Sequence, residues 1–198
     1  VNTGADAVYL GLSNFSARSS AVNFSHEDAE KGFSYLKQRG KKGYVTINTL
    51  VKDNEFNRLK EEMKFLAEIG ADGIIVQDWG VAQLIKDSAP ELAVHGSTQM
   101  TVHNLEGVDF LKEKGIERVV LSRELPISDI EHIKRNTDCE LEIFVHGALC
   151  VCYSGQCYLS SFIGERSGNR GKCAQPCRRA YSMGDKKGTL LSLKDMES

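Results

Sequence analysis

Two hydrophobic periods take turns along the chain. Short apolar runs that suit strands buried on both faces occur at Ala7–Gly11, Lys42–Asn48, Gly73–Gln77, Ala93–Ser97, Arg118–Ser122, Leu141–His146 and Thr189–Leu193. Between them, segments 25–39, 55–69, 79–88, 104–114 and 128–136 carry apolar residues at helical spacing. Ser25 stands three residues ahead of Asp28 and Ser128 three ahead of Glu131, the layout of a helix start. A phrase also repeats: Gly4-Ala5-Asp6-Ala7-Val8-Tyr9-Leu10 returns as Gly70-Ala71-Asp72-Gly73-Ile74-Ile75-Val76, and more weakly from Gly115. A glycine directly after a helix suits a left-handed cap.

Strand and helix alternating at this spacing predict right-handed parallel βαβ units. The expected fold is α/β, a TIM-type (β/α)8 barrel truncated at the N-terminus, where the first strand and helix are missing, and near the last strand. An open doubly wound sheet is the competitor. Against it, no strand is followed by Gly-x-Gly-x-x-Gly, and the repeat continues without a switch halfway. The expected division is a barrel core over 1–149, a cysteine-rich metal-binding insertion over 150–188 after the penultimate strand, and the start of the last strand over 189–198.

Composition changes this picture little. The chain has 198 residues, 41% hydrophobic and 26% charged with a net charge of −2, enough for one ordinary globular core. No apolar run reaches the roughly 20 residues of a membrane helix and no signal-peptide layout opens the chain, so a cytoplasmic location and no membrane partner are expected. One stretch departs from the average: Gly164–Lys187 carries seven Lys or Arg against Glu165 and Asp185.

Barrel chemistry sits at the C-terminal ends of the strands. The polar residues there include His146, Arg123, Glu124, Gln99 and Asp195 as candidate catalytic groups, and Arg18, Asn48, Gln77 and Lys194 as candidate substrate contacts. Strands become polar wherever they meet water, but a set this rich in Arg, Gln and Asn suits a polyanion or a small carboxylate. The sharper signal is cysteine. The first 138 residues contain none, and Cys150, Cys152, Cys157, Cys173 and Cys177 then fall within 28 residues. Clustered thiols in a reducing compartment argue for metal rather than disulfides. Cys150, Cys157, Cys173 and Cys177 offer four soft ligands, suited to a 4Fe-4S cluster or, alternatively, zinc. The missing Cys-x2-Cys lowers the zinc reading. Cys152 breaks the four-point spacing, and Cys139 reads as a buried apolar residue. The competing reading, five unliganded core thiols, fits poorly with neighbours such as Gly, Ser, Arg and Lys.

From Glu142 the chain reads Glu-Ile-Phe-Val-His-Gly-Ala-Leu-Cys, then Tyr153-Ser154-Gly155-Gln156-Cys157-Tyr158-Leu159-Ser160. This resembles the motif of the collagenase-like peptidase family, U32. Tyr9-Leu10-Gly11, Ser97-Thr98-Gln99, Leu121-Ser122-Arg123-Glu124-Leu125, Gly171-Lys172-Cys173 and Ser192-Leu193-Lys194-Asp195 agree, so the likeness covers nearly the whole chain. It implies either a peptidase or an iron–sulfur protein supporting hydroxylation of tRNA, ribosomal RNA or a quinone precursor. Cys150, Cys157 and Cys173 are ligands by this resemblance, with Cys177 or a cysteine further downstream as the fourth. Proteolysis is the weaker expectation, because neither His-Glu-x-x-His nor Gly-x-Ser-x-Gly is present. A radical enzyme would need a third cysteine where Ala180 stands. The expectation is an RNA-hydroxylating enzyme whose basic segment meets phosphate. A protein-cleaving enzyme, metal- or cysteine-dependent, is the runner-up, and a non-catalytic scaffold comes third.

Overall fold

The computed structural model describes residues 1–19, 21–147 and 150–179, with the backbone of 181–182 and 190–191. Six strands form one sheet in chain order: β1 (Ala7–Gly11), β2 (Lys42–Ile47), β3 (Gly73–Val76), β4 (Ala93–Gly96), β5 (Arg118–Val120) and β6 (Glu140–Glu142). Every pairing is parallel. The helices between them are α1 (His26–Lys37), α2 (Phe56–Glu68), α3 (Trp79–Ser88), α4 (Leu105–Glu113) and α5 (Ile127–Asn136).

The sheet is curled. In a flat sheet, side chains on β2 and β4 would stand nearly 10 Å apart, twice the strand spacing of about 4.8 Å. Yet the rings of Tyr44 and His95 lie 4.7 Å apart between centroids, and the Arg118 guanidinium of β5 sits 5.3 Å over the Tyr44 ring. The inner face is therefore concave, the geometry of a half-barrel.

Alternate strand residues divide the labour. Leu10, Val45, Ile47, Ile74, Val76, Val94 and Val119 face outward into one apolar core with Phe33, Leu59, Met63, Ile85, Leu111 and Ile133 of the helices. The inner face is polar instead: Tyr44, His95, Arg118 and Glu140 line a cavity of about 190 Å³ near the N-terminal strand ends. Apolar runs alone did not predict this polar lining.

Local rules account for most element ends. Ser25 Oγ accepts from the Asp28 N–H at 3.1 Å and so starts α1 as expected. Gly70 and Gly115 have φ of +76° and +80°, the left-handed caps that end α2 and α4. The Ser128–Glu131 start is corrected: α5 begins at Ile127, with Pro126 in the cap position and no side-chain cap bond. Proline supplies the required φ without an N–H, so the helix starts one residue before Ser128 could cap it.

The sixth strand is also shorter than Leu141–His146. Residues 143–147 leave the ladder after β6 and are exposed, because among the described residues β6 pairs with β5 alone and has no second neighbour to hold it. Of the expected strand Thr189–Leu193, the described part Leu190–Leu191 pairs antiparallel with Tyr181–Ser182 in a separate two-stranded sheet.

Candidate functional site

The cysteine-rich segment crosses the C-terminal end of the half-barrel and is bound to it at two places. The first lies beside β4 and β5. Ser154, fully buried, is its hub: its N–H and hydroxyl donate to the two carboxylate oxygens of Glu124, each at 2.9 Å. Its hydroxyl accepts from Thr98 Oγ1 at 3.2 Å and from Arg123 Nε at 3.2 Å, while its carbonyl accepts from Thr101 Oγ1 at 2.7 Å. Gln156 donates to Thr101 Oγ1 at 2.9 Å. Gly155 between them has φ +74°, and a Cβ there would stand 2.1 Å from the Gln99 carbonyl oxygen, so only glycine lets the turn approach this closely.

His103 joins the same cluster. Its Nε2 lies 2.9 Å from Glu124 Oε1 yet makes no aligned hydrogen bond. Burial pushes the Glu124 carboxyl up, but the two Ser154 donors and His103 more than offset this and hold it below the usual carboxylate range.

The second attachment lies beside β1 and β2. Arg170 forms a bidentate pair with Glu55, both contacts at 2.7 Å, and its guanidinium also donates to the Leu50 carbonyl. Ser19 Oγ donates to the Gly171 carbonyl at 2.5 Å, and the Leu50 N–H donates to the Asn169 carbonyl at 3.0 Å. Hydrogen bonding from Arg170 pulls the Glu55 carboxyl down to about 2.

Between these attachments the thiols gather. Burial raises the Cys177 thiol, and Cys150, Cys173 and Cys157 raise it further, so each of these three lies within electrostatic reach of Cys177. Burial also raises Cys152, followed by Cys157, which shares a hydrogen bond with it, and by Cys150. The Gln175 N–H donates to Cys173 Sγ at 3.4 Å. All six cysteines are free. Among the described residues, no group of three or more His, Cys, Asp or Glu stands ready as a coordination shell.

The other sequence candidates fall into distinct environments. Asn48 Oδ1 accepts from the Ala17 N–H at 2.8 Å and shapes the loop after β1. Arg18 is exposed. Among the described residues, the side-chain oxygens of Gln77 and Gln99 and the Ser122 hydroxyl are buried and find no partner. His146 is exposed on the segment that follows β6. Lys194 and Asp195 lie outside the described residues, as does Ala180. Arg170, expected at phosphate with its basic neighbours, is committed to Glu55 instead. The residues missed from sequence are Ser154, Thr98, Thr101, His103 and Glu55. Ser154 stood inside the quoted motif, but its partners are up to 56 residues away, so spacing carried no sign of its role.

A half-barrel of parallel strands whose ends are strapped by a cysteine-rich loop places the chain in the (β/α)-barrel class. The profile of Peptidase family U32 matches residues 1–198, and the chain belongs to that family. It is 40% identical over 183 residues to tRNA hydroxylation protein P1 of Bacillus subtilis, covering 92% of this chain and 43% of that protein. It is 41% identical over 189 residues to the 23S rRNA 5-hydroxycytidine C2501 synthase of Escherichia coli, covering 96% of this chain and 28% of that one. The solved U32 peptidase Mk0906 superposes with a TM-score of 0.60 at 16% identity, over 70% of this chain and 60% of that one. The chain thus spans less than half the length of these two curated relatives. Among the described residues, no helix is long and apolar enough to cross a membrane.

Proposed function

We propose that this chain forms the cysteine-bearing part of an enzyme that hydroxylates a nucleobase in tRNA or ribosomal RNA, with an iron–sulfur cluster as its cofactor. The observation that carries the reading is that the loop bearing Cys150, Cys157, Cys173 and Cys177 is braced at two places across the strand ends, with Cys177 in electrostatic reach of the other three. Relatives about 40% identical over more than nine-tenths of the chain bear names of tRNA and rRNA hydroxylation, which supports the choice of substrate.

The donor set fits the group: four soft sulfurs, at least one facing a backbone N–H, in a polar and partly open setting. Cys150, Cys157, Cys173 and Cys177 would hold it, and it would supply one-electron redox chemistry when bound. The protein's own residues position and exclude. Glu124, Arg123 and Ser154 fix one end of the loop, and Glu55 and Arg170 the other. The unpartnered oxygens of Gln77 and Gln99 can accept hydrogen bonds from N–H or O–H groups of a ligand at the mouth.

The peptidase reading follows the family name. Among the described residues no hydrogen bond joins His146 to a cysteine, and the carboxylate of Glu124 is occupied by Ser154. Two measurements decide. Protein purified without oxygen should be brown, with broad visible absorbance lost in Cys157→Ser; colourless protein with stoichiometric zinc would replace the cofactor assignment. Modified nucleosides in RNA from cells with and without the gene should differ by a hydroxylated base. An unchanged profile, or gelatin cleavage abolished by Cys150→Ala, would overturn the hydroxylation reading.

A further inference from the structure

The cysteine-rich segment exposes aromatic area that the thiol site does not use. Phe162 on the short helix α6 (Leu159–Gly164) is 90% exposed, Tyr158 just before it 67%, and Tyr153 65%. A phenylalanine ring left in water forgoes about 1.5–3 kcal/mol of burial, so three large rings exposed on one loop mark a contact surface. The charge around them is one-sided. Residues 150–179 contain Arg166, Arg170, Lys172, Arg178 and Arg179 against Glu165 alone. Arg170 is taken by Glu55, while Arg166, Lys172 and Arg179 are exposed. α6 also touches the thiol loop, for Ser160 Oγ accepts from the Ala174 N–H at 2.9 Å beside Cys173.

We infer that this surface is a stacking platform for an unpaired stretch of RNA, with bases on Phe162, Tyr158 and Tyr153 and phosphates on Arg166, Lys172 and Arg179. The inference rests on the RNA reading above and adds the form of the substrate. Aromatic rings can stack only on bases whose faces are open, and in a duplex those faces are covered. Exposed rings and exposed cations borne on one segment match a single strand, which offers open π-faces together with phosphates. A protein partner would use the rings but has no need of the surrounding positive charge.

The test uses the full-length protein purified without oxygen, and a labelled RNA hairpin with an unpaired loop beside a blunt duplex of similar composition. Phe162→Ala should weaken loop binding about 5- to 100-fold, with little change for the duplex, and Phe162→Tyr should bind like the wild type. Because Phe162 is almost fully exposed, its removal leaves the fold intact, which circular dichroism confirms. Arg166→Ala should lower the slope of log affinity against log salt by about 0.7. Loop binding by Phe162→Ala equal to wild type overturns the platform; this is the outcome if a protein surface covers the ring. Equal weakening toward loop and duplex overturns it too. In cells lacking the gene, Phe162→Ala that fully restores the hydroxylated nucleoside and binds loop RNA normally sinks the platform alone. An unchanged nucleoside profile on deletion sinks the hydroxylation reading itself.

Discussion

Gly155→Ala probes how hard the thiol loop is pressed against the barrel. At φ +74° an L-residue pays for a left-handed backbone, about 1–2 kcal/mol. Its Cβ would also stand 2.1 Å from the Gln99 carbonyl oxygen, 2.9 Å from the carbonyl carbon and 3.0 Å from Thr101 Oγ1. Relief needs a backbone shift of about an ångström, an overpacking cost of about 1–3 kcal/mol. The expected loss is therefore about 2–5 kcal/mol. The loop could escape the strain only by letting go. Two charge-assisted bonds to Glu124 and two neutral bonds through Thr101 oppose that, together worth about 4–9 kcal/mol. The turn should stay docked and destabilised. Urea unfolding reads the loss directly, and hydrogen exchange at the Ser154 amide should quicken at least about 30-fold, the equivalent of 2 kcal/mol. A variant within about 0.5 kcal/mol of wild type, with unchanged Ser154 exchange, would show that the loop does not rest on the Gln99 carbonyl.

Other perturbations address the second attachment, the inner face and the helix starts. Arg170→Ala should cost about 1–2 kcal/mol at pH 7, discounted because the pair is partly exposed. Glu55 is held near 2 when folded against an ordinary 4.5, so this stabilisation is present above pH 4.5 and lost as pH falls toward 2. Urea curves of wild type and variant should converge over that window, and a constant gap would contradict the assignment. His95 is lowered from 6.5 to about 4 by burial first, then by Arg118 and Lys42 against the opposing Glu140. The unfolded chain takes up the proton first, so stability should fall from pH 6.5 to 4 by up to about 1.4 kcal/mol per unit. His95→Gln should flatten that slope in urea midpoints; an unaltered slope would assign it to other groups. Ser25→Ala should cost about 1 kcal/mol and Ser128→Ala almost nothing, a contrast that thermal unfolding can check.

Elements governed by neighbours a few residues away were legible in the chain. The repeat at Gly4 and Gly70, the helix start at Ser25 and the strand runs through Val76 lie close to where the structure puts them. The same local reasoning failed at α5, where Pro126 outcompeted Ser128, and at β6, whose length depends on a neighbouring strand. The thiols are visible in the sequence as a density of cysteines, but spacing leaves out Cys152, which shares a hydrogen bond with Cys157.

What the sequence determined by itself is the order of elements and the density of thiols in one segment, because periodicity and caps act over one or two turns of chain and composition is local. Tertiary structure alone decided the site. Ser154 meets Glu124 across 30 residues, Arg170 meets Glu55 across 115, and Ser19 meets Gly171 across 152. Such pairs form only when a curled sheet brings all its strand ends to one mouth, and no spacing along the chain encodes which of them will touch.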